Sequence, residues 1–394
     1  MIERELTQHL KKLGTWYPVV AVTGPRQSGK TTLVKATFEG YEYINLELPS
    51  LRQQAQEDPF SFINNRPSKL IIDEAQLAPE LFSAIQVVSD ERNVPGQYVL
   101  SGSQNFLLAK NIKQSLAGRC AYVELLPLSF YEVKNNNAEI GIWDFAHLGG
   151  YPRLYDVGIP ANDYYLRYLK TYVERDVKEC LDVRNVKEFD NFIKVLASQT
   201  ANLLNVSSIS KACKMSVNTA KSWLGILEGS YITFRLHPYF SNIKKRLTKT
   251  PKIYFYDTGL LCHLLGIKSA SDLKLSEHKG EVIENLVVSE TIKKYSNAAS
   301  EANVFFYRDD SKIEIDMLDF SDYSEKKAYE IKSSGLYHDK YAKNLLSVAG
   351  SLGVPQENQQ VLLDTEKDFK IKGVNVGSIE KYLMERRAFN EQSV

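Results

Sequence analysis

Residues 19–32 have the sequence Val19-Val20-Ala21-Val22-Thr23-Gly24-Pro25-Arg26-Gln27-Ser28-Gly29-Lys30-Thr31-Thr32, an apolar run that leads directly into a phosphate-binding loop. Gly24 and Gly29 let the backbone bend around a phosphate chain, and a helix beginning near Lys30 adds its positive end. Lys30 would reach the β- and γ-phosphates, and the Thr31 hydroxyl would take a place on Mg²⁺. The loop from Gly24 to Thr32 is therefore the expected binding site for a nucleoside triphosphate.

A second buried-strand run, Leu70-Ile71-Ile72-Asp73-Glu74, ends in two acids. This is expected of a doubly wound sheet, in which the carboxyl ends of the strands face the ligand. Asp73 would hold Mg²⁺ through water, and Glu74 would orient or deprotonate the attacking water. An acidic pair at a strand end is also typical of a helix cap or a solvated turn.

The next strand, Gln97 to Ser103, brings a polar residue to the same edge of the sheet. We expect Ser103 to sense the γ-phosphate or the attacking water. A serine that caps the following helix explains the same position nearly as well.

Several short motifs together resemble the AAA+ ATPases of prokaryotes that carry a C-terminal DUF4143 region. They are Gly24 to Thr32, Ile72-Asp73-Glu74-Ala75-Gln76, Ser101-Gly102-Ser103, Leu116-Ala117-Gly118-Arg119, Pro127-Leu128-Ser129-Phe130 and Gly149-Gly150-Tyr151-Pro152. The resemblance covers essentially the whole chain and is most specific in its amino-terminal part.

This resemblance implies ATP hydrolysis in a homo-oligomer, as a ring or partial ring. It makes Arg119 the arginine finger that reaches the γ-phosphate of a neighbouring subunit. The alternative is that Arg119 pairs with an acid on its own domain surface. Arg153, just after Gly149-Gly150-Tyr151-Pro152, lies where a lid could present a second sensor.

Composition indicates a large intracellular protein of several domains, because 394 residues exceed what one hydrophobic core usually serves. The formal net charge is +1, from 49 basic and 48 acidic residues, so any nucleic-acid binding must come from local patches. Four scattered cysteines fit a reduced compartment. The amino terminus lacks the order of a signal peptide and no apolar run spans a bilayer, so we expect a cytoplasmic protein without a membrane partner.

The expected fold class is α/β, with four parts. They are a P-loop AAA+ ATPase core over 1–135, a helical lid and connecting helices over 136–200, a winged-helix domain over 201–268, and a restriction-endonuclease-like α/β domain over 269–394. The polar stretch Lys134 to Glu139 reads as a boundary or loop, and the pattern from Asp163 to Leu204 is helical, with a Tyr-rich packing face.

The winged-helix prediction rests on two short helices and two strands. The second helix, from Ser216 to Leu227, has a serine cap and an apolar stripe of Val217, Ala220, Leu224 and Leu227. Its other face would contact DNA through Asn218 and Lys221, and a basic loop between the strands would add Lys244, Lys245 and Arg246. Winged helices also serve as packing modules, and a basic loop is often only a solvated hairpin tip.

The last part carries a second candidate site. In Lys327-Ala328-Tyr329-Glu330-Ile331-Lys332, strand periodicity puts Glu330 and Lys332 on one face, and Asp316 on the preceding strand could share Mg²⁺ with Glu330. The arrangement resembles the core of PD-(D/E)xK nucleases, with Glu284 in the position of the helix acid. Glu314 competes with Asp316 for the role, and alternating charge on a half-exposed hairpin is ordinary.

The sequence thus favours an ATPase that uses ATP and Mg²⁺, acts on DNA as an oligomer, and carries a restriction-endonuclease-like domain. That domain could be a metal-dependent nuclease, or a degenerate domain that binds nucleic acid or a protein partner. One alternative is a signalling or scaffold ATPase whose nucleotide state controls a protein partner, with an inert last domain. A small-molecule kinase is disfavoured, since no acceptor site is evident and more than half of the chain would be surplus.

Overall fold

The computed structural model describes residues 2–102, 112, 115–172, 186–241 and 249–386. These form two compact units, which we treat separately. Unit 1 comprises Met1–Pro127, Gly229–Tyr231 and Ser296–Ser300, and unit 2 comprises Leu128–Glu228, Ile232–Tyr295 and Glu301–Val394. Helices and strands are numbered over the described residues.

Unit 1 is built on a five-stranded parallel sheet with strand order β2-β3-β4-β1-β5. Its strands are β1 (Val19–Thr23), β2 (Glu42–Asn45), β3 (Leu70–Asp73), β4 (Tyr98–Gly102) and β5 (Cys120–Glu124). Its helices are α1 (Leu6–Trp16), α2 (Lys30–Thr37), α3 (Pro49–Glu57), α4 (Pro59–Asn64) and α5 (Leu81–Arg92).

The central strands of this sheet are apolar on both faces. In β1, Val19 and Ala21 pack into one core with Ile85 of α5, whereas Val20 and Val22 pack into the other with Leu33 of α2. Burial on both faces is why these strands are continuous apolar runs rather than alternating ones. The parallel register then brings the polar residues that end β1, β3 and β4 to one edge.

Unit 2 begins with helices and a two-stranded antiparallel hairpin. The helices are α6 (Phe130–Asn136), α7 (Ile142–Leu148), α8 (Pro152–Val157), α9 (Ala161–Tyr172), α10 (Val186–Ala197), α11 (Val206–Ala212), α12 (Val217–Gly229), α13 (Thr258–Leu264), α14 (Ala270–Leu275) and α15 (Lys279–Asn297). The hairpin strands are β6 (Thr233–Leu236) and β7 (Lys252–Phe255).

The rest of unit 2 is a six-stranded mixed sheet with order β12-β13-β11-β10-β9-β8. Its strands are β8 (Val304–Arg308), β9 (Glu314–Asp319), β10 (Lys327–Lys332), β11 (Gln359–Leu363), β12 (Phe369–Ile371) and β13 (Val374–Ser378), and its helices are α16 (Asp339–Val348) and α17 (Ile379–Met384). β9 pairs antiparallel with β10, and β10 pairs parallel with β11.

Phe130 and Gly150, which belong to two of the sequence motifs, are hydrogen-bonded to buried acids within unit 2. The buried carboxylate of Glu290 accepts a 2.6 Å hydrogen bond from the backbone N of Phe130 and pairs with Lys293 at 2.7 Å. Asp257 accepts hydrogen bonds from the backbone N of Gly150 and from the Tyr165 hydroxyl, each at 2.7 Å. These hydrogen bonds join segments that are distant in sequence, and they offset the cost of burying the two carboxylates.

Where the sequence predicted a helix or strand over described residues, the element lies within a few residues of it, with two corrections, and residues 173–185 of the stretch predicted as helical lie outside the described residues. α6 runs through Asn136, so the loop expected from Lys134 begins only at Asn137. Of the apolar stripe predicted for α12, Ala220, Leu224 and Leu227 are buried, together with Trp223, whereas Val217 is 37% exposed. Only the first residue of the predicted stripe is therefore wrong.

Candidate functional site

The phosphate-binding loop has the backbone conformation that its glycines allow. Gly24 has φ 146°, and a Cβ there would lie 2.1 Å from the carbonyl oxygen of Leu125. Gly29 has φ 92° immediately before α2 begins at Lys30. A side chain at either position would strain or block the loop, so both glycines are needed to shape the cradle.

Lys30 is buried, and its ammonium lies over the loop. Nζ donates to the carbonyl oxygens of Gly24, at 3.0 Å, and of Pro25, at 2.8 Å. The ammonium therefore lies against the loop that would hold the phosphates, and its reach to the β- and γ-phosphates stays a prediction.

Asp73 receives four hydrogen bonds at the end of β3. Oδ2 accepts from the hydroxyls of Thr31, at 2.7 Å, and Tyr43, at 2.8 Å. Oδ1 accepts from the Ser101 hydroxyl at 2.5 Å and from the backbone N of Glu74 at 3.1 Å. The carboxylate is thus fixed in orientation beside the first turn of α2.

Tyr43 is a site residue that the sequence analysis missed. Burial, the hydrogen bond to Asp73 and nearby negative charge raise its pKa, so the hydroxyl remains a donor. The Lys35 ammonium lies 3.4 Å from the centre of its ring. The strand Glu42–Asn45 looks ordinary in sequence, and only its place beside β3 brings Tyr43 to Asp73.

Glu74 and Gln76 form a pair just beyond β3. Glu74 has a left-handed conformation, with φ 53°, and begins a short 3₁₀ turn over Ala75–Leu77. The side-chain amide Nε2 of Gln76 donates to Oε2 of Glu74 at 2.5 Å. Glu74 is therefore held by Gln76, a residue of the motif Ile72 to Gln76 for which the sequence alone predicted no role.

The oxygen atoms around Thr31 and Asp73 are suited to Mg²⁺. Within the described ranges, no group of three or more His, Cys, Asp or Glu side chains is arranged to hold a metal ion. Magnesium in nucleotide sites is typically held by one or two protein oxygens together with phosphates and waters, so a hydroxyl beside a single carboxylate fits it.

Arg4 contacts the backbone of the phosphate-binding loop and is a second residue that the sequence did not predict. Its guanidinium donates to the carbonyl oxygens of Ser28, at 2.9 Å, and Leu126, at 2.7 Å. The residue is 8% exposed. Nothing in the sequence before α1 marks it, because these two acceptors are backbone atoms far along the chain.

A buried polar cluster lies at the end of β1. The Tyr231 hydroxyl lies 2.8 Å from the Thr23 hydroxyl and 3.0 Å from a carboxylate oxygen of Glu124. Burial raises the pKa of Glu124, and the hydrogen bond from Tyr231 offsets part of that rise. The residue before Gly24 is thereby tied to the short segment Gly229–Tyr231 that belongs to unit 1.

Arg119 forms a two-pronged ion pair with Asp90. Nε lies 2.6 Å from Oδ1 and the second terminal nitrogen 2.9 Å from Oδ2. This is the pairing that the sequence analysis left open as the alternative to an arginine finger. Arg153 is exposed on α8, and Ser103 lies outside the described residues.

The four residues of the second candidate site come together in unit 2. Lys332 Nζ lies 3.0 Å from Asp316 Oδ2 and 2.8 Å from Glu330 Oε1. Burial and the charge of Asp316 raise the pKa of Glu330, and burial chiefly raises that of Glu284, which Asp316 also influences. Among the described residues, Glu330 Oε2 is buried without a hydrogen-bond partner.

Lys252 of β7 is an unexpected member of this cluster. Its ammonium is buried and pairs with Glu284 at 2.9 Å and with Glu314 at 2.7 Å. Glu314 also pairs with Arg308, so the competitor to Asp316 is held on the side of Lys252. No sequence signal connects a lysine in the hairpin to acids that follow it by more than thirty residues.

The candidate DNA contacts are only partly described. Asn218 and Lys221 are exposed on α12, and the Ser216 hydroxyl accepts from the backbone N of Thr219 at 3.0 Å, which caps the helix as predicted. Lys244, Lys245 and Arg246 lie outside the described residues. Over the described ranges, no helix is both long enough and apolar enough to cross a membrane.

Comparison with known proteins divides the chain into three matched regions. Residues 17–134 match an AAA domain. Residues 141–271 match a domain of unknown function, DUF8612, and residues 279–382 match another, DUF4143. The first and last matches confirm the AAA and DUF4143 parts of the resemblance seen in the sequence.

The relatives include uncharacterized proteins of Mycobacterium bovis and Mycobacterium tuberculosis, each 30% identical over 291 residues. That match covers 73% of this chain and 65% of each relative, so the chain spans less than two thirds of their length. An uncharacterized protein of Methanocaldococcus jannaschii is 26% identical over 340 residues, which cover 78% of this chain and 73% of the relative.

Solved structures with some likeness include the Walker-type ATPase of Pyrococcus abyssi, with a TM-score of 0.45 and 17% identity over 67% of this chain and 96% of that one. Another is AMPPCP-bound DnaA from Aquifex aeolicus, with a TM-score of 0.30 and 14% identity over 57% of this chain and 85% of that one.

Proposed function

We propose that this chain, which carries a P-loop AAA domain followed by a DUF4143 region, binds ATP with Mg²⁺ and hydrolyses it. The observation that carries the proposal is the meeting of Lys30, Thr31 and Asp73 at the carboxyl edge of the parallel sheet. That edge is where ligands bind in open α/β sheets.

The residues divide the work of hydrolysis. The loop amides and Lys30 hold the phosphates, while Thr31 and Asp73 would hold Mg²⁺, whose charge offsets that of the phosphate oxygens. Glu74 takes a proton from the attacking water. The water oxygen bonds to the γ-phosphorus, and the bond to the bridging oxygen breaks with its electron pair leaving on ADP.

Release of inorganic phosphate tests this proposal directly. Purified protein is incubated with ATP and Mg²⁺, with EDTA or with GTP in parallel, and phosphate and ADP are measured over time. Release that requires Mg²⁺ and an intact Lys30 supports the proposal. No nucleotide binding under any of these conditions contradicts it.

We further propose that the ATPase works as a homo-oligomer in which Arg119 completes a neighbour's site. The supporting feature is its position, partly exposed at the residue before β5, with a fork geometry suited to phosphate oxygens. Arg119 would have to leave Asp90 in order to contact the neighbour's γ-phosphate. Assembly of the oligomer would therefore be linked to breaking of the Arg119–Asp90 ion pair. Sedimentation with and without ATP tests the assembly.

A second candidate function is metal-dependent DNA cleavage by unit 2. The observation that favours it is Lys332 between Asp316 and Glu330, with a buried oxygen of Glu330 left without a hydrogen-bond partner among the described residues. Two carboxylates can hold Mg²⁺, which would polarise a phosphodiester. Asn218 and Lys221 are the proposed DNA contacts on α12.

The competing proposal is an ATPase whose nucleotide state controls capture of a protein partner, with an inactive last domain. The three described cysteines are free thiols, which suits a reducing cytoplasm under either proposal. Incubation with supercoiled, linear and single-stranded DNA separates the two functions. Cleavage favours the nuclease, and nucleotide-dependent partner capture without DNA binding favours the scaffold.

A further inference from the structure

We propose that Gln76 is a further catalytic residue of the ATPase site, holding Glu74 through its amide N–H and accepting a hydrogen bond from the attacking water at its carbonyl oxygen. This inference rests on the proposed ATP hydrolysis and deepens it. It assigns a role to a residue that follows the two acids at the end of β3.

The first argument is the contact between the two side chains. Nε2 of Gln76 donates to Oε2 of Glu74 at 2.5 Å. The backbone of Glu74 is fixed as well, because its N–H donates to Asp73 at 3.1 Å. Glu74 is therefore oriented from both ends, and Gln76 supplies the constraint on the carboxylate that would take the proton.

The second argument is the carbonyl oxygen on the same amide. Gln76 is 5% exposed, and its Oε1 is buried without a hydrogen-bond partner in the part of the chain that the structure describes. A buried acceptor left unpaired is unfavourable. Oε1 and the N–H that donates to Glu74 share one planar amide group. We infer that, with nucleotide bound, the attacking water supplies the missing donor to Oε1 while it contacts the Glu74 carboxylate.

The chemistry needs two acceptors beside the attacking water. One proton of that water passes to Glu74 as the water oxygen bonds to the γ-phosphorus, and the bond from phosphorus to the bridging oxygen breaks with its electron pair leaving on ADP. The second proton stays on the new phosphate oxygen. A hydrogen-bond acceptor for the second O–H of the water orients a lone pair of the water oxygen toward phosphorus. Glutamine carbonyls perform this alignment in other phosphate-hydrolysing P-loop proteins.

A matched control exists at the opposite edge of the sheet. Gln97 is also buried, and its Oε1 also has no partner among the described residues. Gln97 lies just before β4 begins, and its Nε2 donates to the carbonyl oxygens of Ser89 and Val94. Gln97→Leu thus removes a comparable buried amide without touching Glu74.

The test measures ATP affinity and single-turnover hydrolysis in the full chain. We expect Gln76→Leu to lower the hydrolysis rate by about 10- to 100-fold while the Kd for ATP changes by less than about threefold. Gln97→Leu should lower stability and leave the hydrolysis rate near that of the wild type. If Gln76→Leu does not fold, Gln76→Asn, whose shorter arm cannot reach Glu74, is measured in its place with the same expected outcome.

A double-mutant cycle separates a catalytic from a structural role. If Gln76 acts with Glu74 on one water, adding Gln76→Leu to Glu74→Gln should change the residual rate by less than about threefold. Independent, multiplying effects, or a wild-type rate in Gln76→Leu, overturn the inference. If Glu74→Gln itself hydrolyses ATP normally, it is the proposed hydrolytic function of Glu74 that fails.

Discussion

The Thr31 hydroxyl donates a 2.7 Å hydrogen bond to Oδ2 of Asp73, which joins the first turn of α2 to the end of β3. The two residues lie 42 positions apart in sequence and belong to different motifs. Their contact shows that the phosphate-binding loop and the acidic strand end form one site, with hydroxyl and carboxylate oxygens together. That is the donor set that Mg²⁺ prefers.

The first prediction separates nucleotide binding from hydrolysis. Lys30→Ala removes an ammonium from the phosphates and should weaken ATP binding by about 10- to 100-fold, since hydrogen bonds to charged groups are worth about 1.5–3 kcal/mol. Glu74→Gln should keep ATP bound and unhydrolysed, because only the proton acceptor is lost. Titration with a fluorescent ATP analogue and phosphate release measure the two effects. Equal loss of affinity in both variants would contradict these roles.

Local sequence predicted the phosphate-binding loop and the two acids because their conformation and position follow from glycine spacing and a buried strand. It could not supply Tyr43 or Arg4. Tyr43 reaches Asp73 only because β2 pairs with β3, and Arg4 contacts two backbone carbonyls that any sequence would provide. Contacts set by tertiary pairing leave no local pattern in the chain.

The carboxyl-terminal cluster shows the same division. The alternation in β10 placed Glu330 and Lys332 on one face, and the structure puts them 2.8 Å apart. The buried pairing of Lys252 with Glu284 depends on how the hairpin packs on α15 within unit 2, which periodicity does not encode. Likewise, the sequence named both candidate roles of Arg119, and only coordinates could reveal Asp90 as its partner.

The second prediction concerns Tyr43, whose hydroxyl donates to the same oxygen of Asp73 as Thr31 does. Tyr43→Phe should loosen the carboxylate and raise the Mg²⁺ concentration for half-maximal hydrolysis by about tenfold, the equivalent of about 1.4 kcal/mol. The matched control is Tyr41→Phe, which removes a hydroxyl that donates to the Gly96 carbonyl oxygen instead. A Mg²⁺ titration in which both variants behave alike would remove Tyr43 from the site.

The third prediction tests Arg119. Arg119→Ala should preserve ATP binding and lower turnover by about 10³-fold, as expected for an arginine finger. Mixing it with Glu74→Gln should restore part of the activity, because a mixed oligomer contains interfaces with both intact groups. Arg92→Ala, which loses a hydrogen bond to Tyr98, is the control. Absence of rescue in subunits shown to mix would leave pairing with Asp90 as the role of Arg119.

The fourth prediction is a pH dependence of stability at Glu124. Burial raises the pKa of this carboxyl in the folded state, so its contribution to stability is complete below the unfolded value and is lost as pH rises through the folded one. Glu124→Gln removes that titration. The Tm of Glu124→Gln minus that of the wild type should therefore increase from about pH 4 upward, and Glu139→Gln is the control for the loss of an exposed carboxylate. A Tm difference for Glu124→Gln that does not change with pH would mean that the carboxyl is not destabilised by burial.

The last prediction asks whether the cluster of unit 2 is a metal site or a set of buried ion pairs. Asp316→Ala and Glu330→Ala should each abolish divalent-metal binding in unit 2 and any DNA cleavage while Mg²⁺-dependent ATP hydrolysis persists, because the residues of the proposed ATP site lie within unit 1. Lys332→Ala should abolish cleavage but retain metal binding, since an ammonium is not a ligand. Asp339→Ala, which breaks an exposed pair with Lys372, should change neither.

Isothermal titration with Mg²⁺ and Mn²⁺ measures the binding, and gel assays on three DNA forms measure the cleavage. If the wild type neither binds metal in unit 2 nor cleaves DNA with ATP present, the cluster is a set of buried ion pairs. Lys332 would then neutralise Asp316 and Glu330 as it does in the structure, where it lies 3.0 Å and 2.8 Å from them. In that case unit 2 acts by binding, and the scaffold proposal gains the support that the nuclease loses.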